Sequence, residues 1–385
     1  MTENKPIRIA QIMGKWVGGG VEAVVINYYR YIDRNKIQFD FICDEDSTCI
    51  PYEEIEKLGG KVILIPPYQK IFKYHKELKR VLKEGKYKIV HSHINTLSVF
   101  SLFAAKCAGV PIRISHSHAT TNKKEFKRNI IKLFLRPFNR MCATNYACCS
   151  EYAGRWMFGN NNYNNGRVTK INNAIEIDRF IFNNKIRELY RNRLKIKAEQ
   201  IVIGHVGRMV ETKNHLFLLD IFARLCKKED AVLILIGQGP LEKELKRRAE
   251  ELNIKERVFF LGQIKNVNDW YQVFDAFVLP SLYEGFGMAL LEAQVSNLPC
   301  IASKDVPQEA KLIDNLEFLS LDLDKDLWIE TIINLIRKSK RKSNQELLLN
   351  KGYDISIEVE KLEKYYINLI EGEYHAKNKC NNGYI

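Results

Sequence analysis

Apolar residues along this chain fall in short continuous runs rather than in strict alternation with polar ones. In the first half the runs are "IRIAQIM", "FDFIC", "KVILIP", "KIVHSH", "IRISHSH" and "NYACCS", each followed by an amphipathic or small-residue segment of helical length. Runs rich in Val and Ile belong to strands covered on both faces, as in a parallel sheet. After residue 200 the pattern restarts with "IVIGHVG", "AVLILIG", "RVFFLG", "DAFVLP" and "PCIAS". Two such series predict an α/β chain of two doubly wound, Rossmann-like domains, over residues 1–180 and 190–350. The intervening "NNAIEIDRFIFNN" is polar and turn-rich and reads as a linker. The run "SIEVEKLEKYYINLIEGEY" is helical by period, so a helix over about 353–385 is expected to pack back on the first domain.

Composition narrows the class. At 385 residues the chain is too long for one core, and 46% hydrophobic content excludes a disordered protein. Its nine cysteines show no C-x-x-C spacing, and two of them, Cys148 and Cys149, are adjacent. That is no disulfide framework, and a reducing cytosol is expected. The start "MTENKPIRIAQIM" lacks the apolar core of a signal peptide, and Lys106 interrupts "LSVFSLFAAKCAGV" below the ~18 residues a membrane span needs. Residues 1–180 hold 29 Lys and Arg against 16 Asp and Glu, a net of +13, while the remainder holds 31 against 30. Only the first half is expected to face something anionic.

Ligands of open parallel sheets sit beyond the C-terminal strand ends, and the polar clusters of this sequence lie there. "MGKWVGGG" follows the first strand. Gly19 and Gly20 at that strand-to-helix junction would let backbone N–H groups approach a phosphate or another part of a substrate, or else form a tight turn. The spacing departs from G-x-G-x-x-G, which excludes a nicotinamide fingerprint. "GHVGRMVETKN" offers Arg208 as a planar fork and Lys213 as a point charge, a pair that could clamp a diphosphate or simply be solvated. "SLYEGFGMALLEA" places Glu284 in a loop, then Gly285 and Gly287 before a helix starting near Met288, then Glu292. Free N–H groups at 287–289 would point at whatever lies ahead. Glu284 could accept from hydroxyls or serve only as a favourable charge at a helix N-terminus. Glu292 sits in the nearly apolar "MALLEAQV", where an unpaired carboxylate is expensive.

These residues carry a resemblance. "PSLYEGFGMALLEAQ" and "LPCIAS", with "VGRM", Lys213 and "GQG", resemble the retaining, sugar-nucleotide-dependent glycosyltransferases of family 4, across essentially the whole chain. "GGGVEAVVINYYRYIDRNKIQFDFIC", "HSHINTLS" and "RISHSHAT" resemble the capsular and exopolysaccharide branch of that family. The resemblance implies a GT-B fold, two Rossmann-like domains facing a central cleft. It implies a sugar moved with retention from a nucleotide-diphosphate donor, expected to be a UDP-sugar, to a lipid-linked or oligosaccharide acceptor. Arg208 and Lys213 would hold the diphosphate, Glu284 the sugar hydroxyls and Glu292 the ribose. Phe286, Gly287 and Met288 would lie against the distal phosphate and sugar, and Gln263 and Ile264 in "GQIKNV" would receive the base. Two departures stand out: "NNAIEI" replaces the usual Pro-Asn-Gly-Ile-Asp run, and Asn297 replaces a glycine before "LP".

"HSH" occurs at 91–93 and 116–118. Positions i and i+2 of a strand share a face, so either pair could hold a metal in a hydrolase, although no H-E-x-x-H accompanies them. The plainer alternative, for His91 and His116, is buried, hydrogen-bonded histidines. By the resemblance, one histidine after the fifth strand approaches the reacting sugar, and His118 matches better than His116. No cofactor or metal is expected, because fixed cations and a helix N-terminus take a metal's role. A nucleotide-sugar epimerase of the same architecture, or a catalytically silent binder, is the other alternative.

"TNKKEFKRNIIKLFLRPFNR" packs Lys123, Lys124, Lys127, Arg128, Lys132, Arg136 and Arg140 around six apolar residues. A basic amphipathic helix of this kind suits an anionic membrane surface, and equally a helix packing its apolar stripe on the sheet. No recognition-fold signature supports nucleic acid. The expected location is cytoplasmic, peripheral to the inner face of the cell membrane, with donor, lipid-linked acceptor and membrane as partners.

Overall fold

A computed structural model of the chain describes residues 5–118, 126–339, 341 and 351–381. The chain forms two compact units, Met1–Ile175 with Gly352–Ile385, and Glu176–Lys351.

The first unit holds seven strands: β1 (Ile7–Gly14), β2 (Ile37–Asp44), β3 (Lys61–Ile65), β4 (Ile89–Ser92), β5 (Ile112–Ser117), β6 (Asn145–Cys148) and β7 (Val168–Lys170). They pair in the order β3-β2-β1-β4-β5-β6-β7, all parallel. Every residue of β2 is buried, which is why its run shows no polar alternation. On one face Ile12, Ile42 and Val90 pack under the helices Ile71–Glu84 and Ser98–Ala108. On the other, Phe39 and Phe41 meet Tyr29 of the helix Gly20–Tyr31, and Phe39 also meets Tyr366 of the helix Ile355–Asn381 edge-on at 6.0 Å.

The second unit holds β8 (Ile201–Val206), β9 (Ala231–Ile236), β10 (Val258–Gly262), β11 (Ala276–Leu279), β12 (Cys300–Ser303) and β13 (Leu316–Leu319). Their order is β10-β9-β8-β11-β12-β13, again all parallel. The helices His215–Leu225, Glu242–Glu251 and Lys325–Lys338 bury one apolar cluster against it, with Trp328 fully enclosed. The chain passes into this unit at Glu176, earlier than the expected boundary at 180. The reason is the short helix Ile177–Phe180: its Phe180 ring meets Tyr271 at 5.7 Å and its carbonyl accepts from Gln272 and Ser296.

Each sheet reverses its strand order once, at β1/β4 in the first unit and at β8/β11 in the second. Connections leave in opposite directions there, which opens a crevice at the C-terminal strand ends. The loops at these two points carry the chemistry described next.

Candidate functional site

In the second unit the loop after β8 carries Arg208, exposed and without an ion pair among the described residues, and then the 3-10 turn Glu211–Lys213. It is held by the end of β9. Gly207 and Met209 donate their N–H groups to the carbonyls of Ile236 and Gln238. A Cβ on Gly237 would stand 2.1 Å from the Gly207 carbonyl oxygen, and one on Gly239 2.3 Å from that of Met209. The glycines of "GQG" therefore make room for the backbone that presents Arg208.

The loop after β11 lies alongside. Leu282 N–H donates to the Thr212 carbonyl, tying the two loops together. Lys213 Nζ donates to Glu284 Oε1 at 2.5 Å, and Ser281 Oγ donates to the same oxygen at 2.7 Å. Lysine and acid thus converge, with Glu284 only 9% exposed. Gly287, at φ +94°, turns the chain into the helix Met288–Val295. Its left-handed conformation favours glycine, and the first turn it opens leaves N–H groups without an intrahelical acceptor. Phe286 is buried and Met288 half-buried beside it.

Glu292, half-buried on that helix, is not left unpaired: Tyr271 OH donates to its Oε2 at 2.6 Å. Burial pushes the Glu292 carboxyl up to about 7, opposed by the Tyr271 bond and the charge of Arg179. Gln263, exposed, and Ile264, half-buried, follow β10, where the Gly262 carbonyl accepts from Gly237 N–H. Sequence reading missed Ser281 and Tyr271. The hydroxyl at 281 stands three residues before Glu284 and was available as a signal, whereas nothing in the sequence connects Tyr271 to Glu292.

In the first unit the glycine loop departs from the phosphate reading. Glu22, in the first turn of the helix Gly20–Tyr31, folds back so that Oε1 accepts from Val17 N–H at 3.1 Å. A Cβ on Gly19 would meet Glu22 Oε2 at 2.8 Å. The close approach that glycine permits at 19 is made by the chain's own carboxylate, which disfavours an anion at this helix N-terminus. Gly20 itself is exposed.

His118 follows β5, 6% exposed, with its N–H held by Asn95 Oδ1 at 2.7 Å. His91, His93 and His116 are also buried, and burial holds all four imidazoles well below the ordinary histidine range. Ring nitrogens of His91, His93 and His116 lie within 4.8 Å of one another, close enough to consider a metal. Six of the eight ring nitrogens of the tetrad are instead engaged in hydrogen bonds to one another, to Gln11 and to Tyr366. A metal there would have to break those bonds, which tie the rings to one another, to Gln11 and to Tyr366. His91 and His116 are buried and hydrogen-bonded, as the plainer alternative has them.

Of the basic helix, Lys123 and Lys124 lie outside the described residues, as does the Arg128 side chain. Lys127 is exposed and Lys132 half-buried. The helix Phe126–Cys142 does not pack its whole apolar stripe on the sheet. Leu135 and Cys142 join the core, while Ile130, Ile131, Leu133, Phe134, Phe138 and Met141 are exposed, Phe134 by 66% and Met141 by 71%. No described helix is long and apolar enough to cross a membrane.

Residues 18–179 match the family described as Glycosyltransferase Family 4, and residues 186–349 match Glycosyl transferases group 1. The chain is 35% identical over 370 residues to EpsF of Bacillus subtilis (strain 168), a protein named as a glycosyltransferase, covering 93% of this chain and 96% of that one. It is 24% identical over 382 residues to the Escherichia coli UDP-Gal:alpha-D-GlcNAc-diphosphoundecaprenol alpha-1,3-galactosyltransferase, covering 94% and 97%. Among solved structures, Anabaena Alr3699/HepE in complex with UDP-glucose shares the fold with a TM-score of 0.78 at 18% identity, over 94% of this chain and 100% of that one. Two parallel, doubly wound units and a full-length relative at this identity lead to one assignment: the chain belongs to the family 4 glycosyltransferases of GT-B fold.

Proposed function

We propose that the protein transfers a sugar, with retention of configuration, from a UDP-sugar to a lipid-linked or oligosaccharide acceptor in capsule or exopolysaccharide assembly. The observation that carries the site is the convergence of Lys213 on Glu284 at the strand-order reversal of the second unit. A diphosphate competes with Glu284 for the ammonium, and sugar hydroxyls compete with Lys213 for the carboxylate. One sugar nucleotide therefore satisfies both partners when it separates them. Arg208 on the same loop adds a second cation, and the turn at Gly287 and Met288 adds N–H dipoles near Phe286. As the sugar–phosphate bond breaks, negative charge grows on the diphosphate oxygens, and these groups stabilise it. Glu292 is assigned to the ribose, and Gln263 and Ile264 to the base. Because Glu22 covers Gly19, the loop at Gly19 and Gly20 is assigned to the sugar and not to a phosphate: a carboxylate repels phosphate and accepts from hydroxyls. His118 is assigned to positioning at the reacting sugar. No divalent metal is required, since fixed charges do its work.

The names of the relatives support a lipid-linked acceptor, and the exposed apolar residues and Lys127 of the helix Phe126–Cys142 support contact with an anionic membrane surface on the cytoplasmic side. An epimerase would convert a donor without any acceptor, and a silent binder would convert nothing. The test is incubation with a panel of nucleotide sugars, with and without lipid-linked acceptor, followed by product and anomer identification. Acceptor-dependent product with the donor's anomeric configuration is expected. Conversion without acceptor, or inversion, would overturn the reading. Arg208→Ala or Lys213→Ala should lower kcat by about 10²–10³-fold, as for loss of one charge-stabilising group. EDTA should leave the rate within about twofold, and activity restored only by a divalent metal would remove the metal-free mechanism.

A further inference from the structure

The buried histidines of the first unit belong to one continuous chain of hydrogen bonds. His118 Nε2 meets His93 Nδ1 at 2.9 Å, and His93 Nε2 meets Gln11 Oε1 at 2.8 Å. Gln11 Nε2 donates to Tyr366 OH at 3.3 Å, Tyr366 OH meets His91 Nδ1 at 2.7 Å, and His91 Nε2 meets His116 Nδ1 at 3.0 Å. The two open ends are His118 Nδ1, which makes no hydrogen bond among the described residues, and His116 Nε2, which is buried without a partner. The chain borders a cavity of about 20 Å³, the space of a single water, lined also by Val24, Phe39 and Leu362.

Each imidazole here is neutral and so carries one N–H, and a hydroxyl carries one O–H. The direction of one bond therefore dictates the direction of the next. Gln11 Oε1 can only accept, so His93 bears its proton on Nε2 and accepts at Nδ1. His118 must then donate from Nε2, which leaves a lone pair on Nδ1. On the other arm Gln11 donates to Tyr366, Tyr366 to His91, and His91 to His116. Reversing the Gln11 amide would invert every bond and place a proton on His118 Nδ1.

We propose that Gln11 is a positioning residue for the transfer reaction: acting through His93, it holds His118 as the Nε2–H tautomer, so that Nδ1 offers a lone pair to a hydroxyl of the substrate. The inference rests on the reading above in which His118 meets the reacting sugar. A bare lone pair orients a hydroxyl's proton, whereas an N–H at the same place would turn the hydroxyl round and accept nothing from it. Gln11 lies on β1 and makes no such contact itself; its effect is transmitted through the ring of His93.

The test uses the full-length protein labelled with ¹⁵N-histidine and long-range ¹H–¹⁵N correlation at pH 7, which reads the protonation of each ring nitrogen. The wild type should show His118 as a single tautomer, protonated at Nε2 and bare at Nδ1. Gln11→Met, close in shape but with only a weakly accepting thioether in place of the amide, should give His118 in both tautomers. The same variant should lower kcat at least tenfold while KM for the donor stays within threefold. A wild-type His118 protonated at Nδ1, or a mixture of tautomers, would overturn the proposal even if Gln11→Met does not fold. So would an unchanged His118 spectrum in a folded Gln11→Met. A chain with the expected tautomer and no glycosyl transfer would instead sink the proposed function and leave the assignment of Gln11 to His118 standing.

Discussion

Glu292 shows what burial does to one carboxylate. Its helix is nearly apolar, and burial raises the carboxyl to about 7 even with Tyr271 OH donating to it. The ionised form therefore gives way to the acid as pH falls through about 7. If Glu292 accepts from ribose hydroxyls, donor affinity is full above that value and declines below it, because an acid has one acceptor site fewer. A UDP-sugar, whose diphosphate does not titrate near neutrality, is the suitable probe. Affinity for the transferred UDP-sugar, followed by calorimetry from pH 6 to 8, should rise with pH in the wild type and stay flat in Glu292→Gln. Tyr271→Phe removes a bond that favours the ionised form and should move the midpoint to higher pH. A flat wild-type profile would separate Glu292 from the donor. Lys213 and Glu284, both singled out from the sequence, lie side by side as an ion pair. Tyr271 was invisible, because a tyrosine twenty-one positions away in a different helix leaves no pattern that points at an acid. Asn297 was visible only as a departure from the family's glycine. The fold explains it: the position has φ +49°, a left-handed conformation that Asn tolerates at modest cost and most residues do not.

At the scale of elements, eleven of the thirteen strands coincide with the continuous apolar runs, while the edge strands β7 and β13, three and four residues long, were not read because so short a segment leaves no run to see. The helices were legible by period, but which face they bury was not. The helix Phe126–Cys142 makes the point. Leu135 and Cys142, seven residues apart, face the core, and Pro137 within the helix removes one backbone donor. The larger apolar set, with Phe134 and Phe138 in ring contact at 5.3 Å, remains on the outside. Apolar side chains left exposed beside lysines suit insertion at the level of lipid headgroups. Burying one phenylalanine contributes about 1.5–3 kcal/mol, so the double change Phe134→Ser, Phe138→Ser should weaken partition to anionic liposomes by at least tenfold. Co-sedimentation measures it, and circular dichroism should remain that of the wild type, since neither ring belongs to the core. Undiminished binding would assign this face to something other than lipid.

Charge is distributed at the scale of the whole molecule: a net of +13 over residues 1–180, against near neutrality over the rest. The two halves should therefore respond differently to salt. Exposed lysines facing a membrane act over distances comparable to the Debye length, about 8 Å at physiological ionic strength and about 3 Å at 1 M. On the proposed reading the donor is held by Arg208, Lys213 and Glu284, and the last two are largely shielded and close to each other, where ions in solution screen poorly. Raising salt from 0.15 to 1 M should then release the protein from anionic liposomes by tenfold or more, while KM for the UDP-sugar with a soluble acceptor analogue changes by less than about threefold. The apolar residues of the helix Phe126–Cys142 should leave a salt-resistant remainder, which the double phenylalanine change removes. If KM climbed in step with membrane release, the donor would be held by the diffuse positive field and not by a shielded pair, and the role given to Lys213 and Glu284 would fall with it.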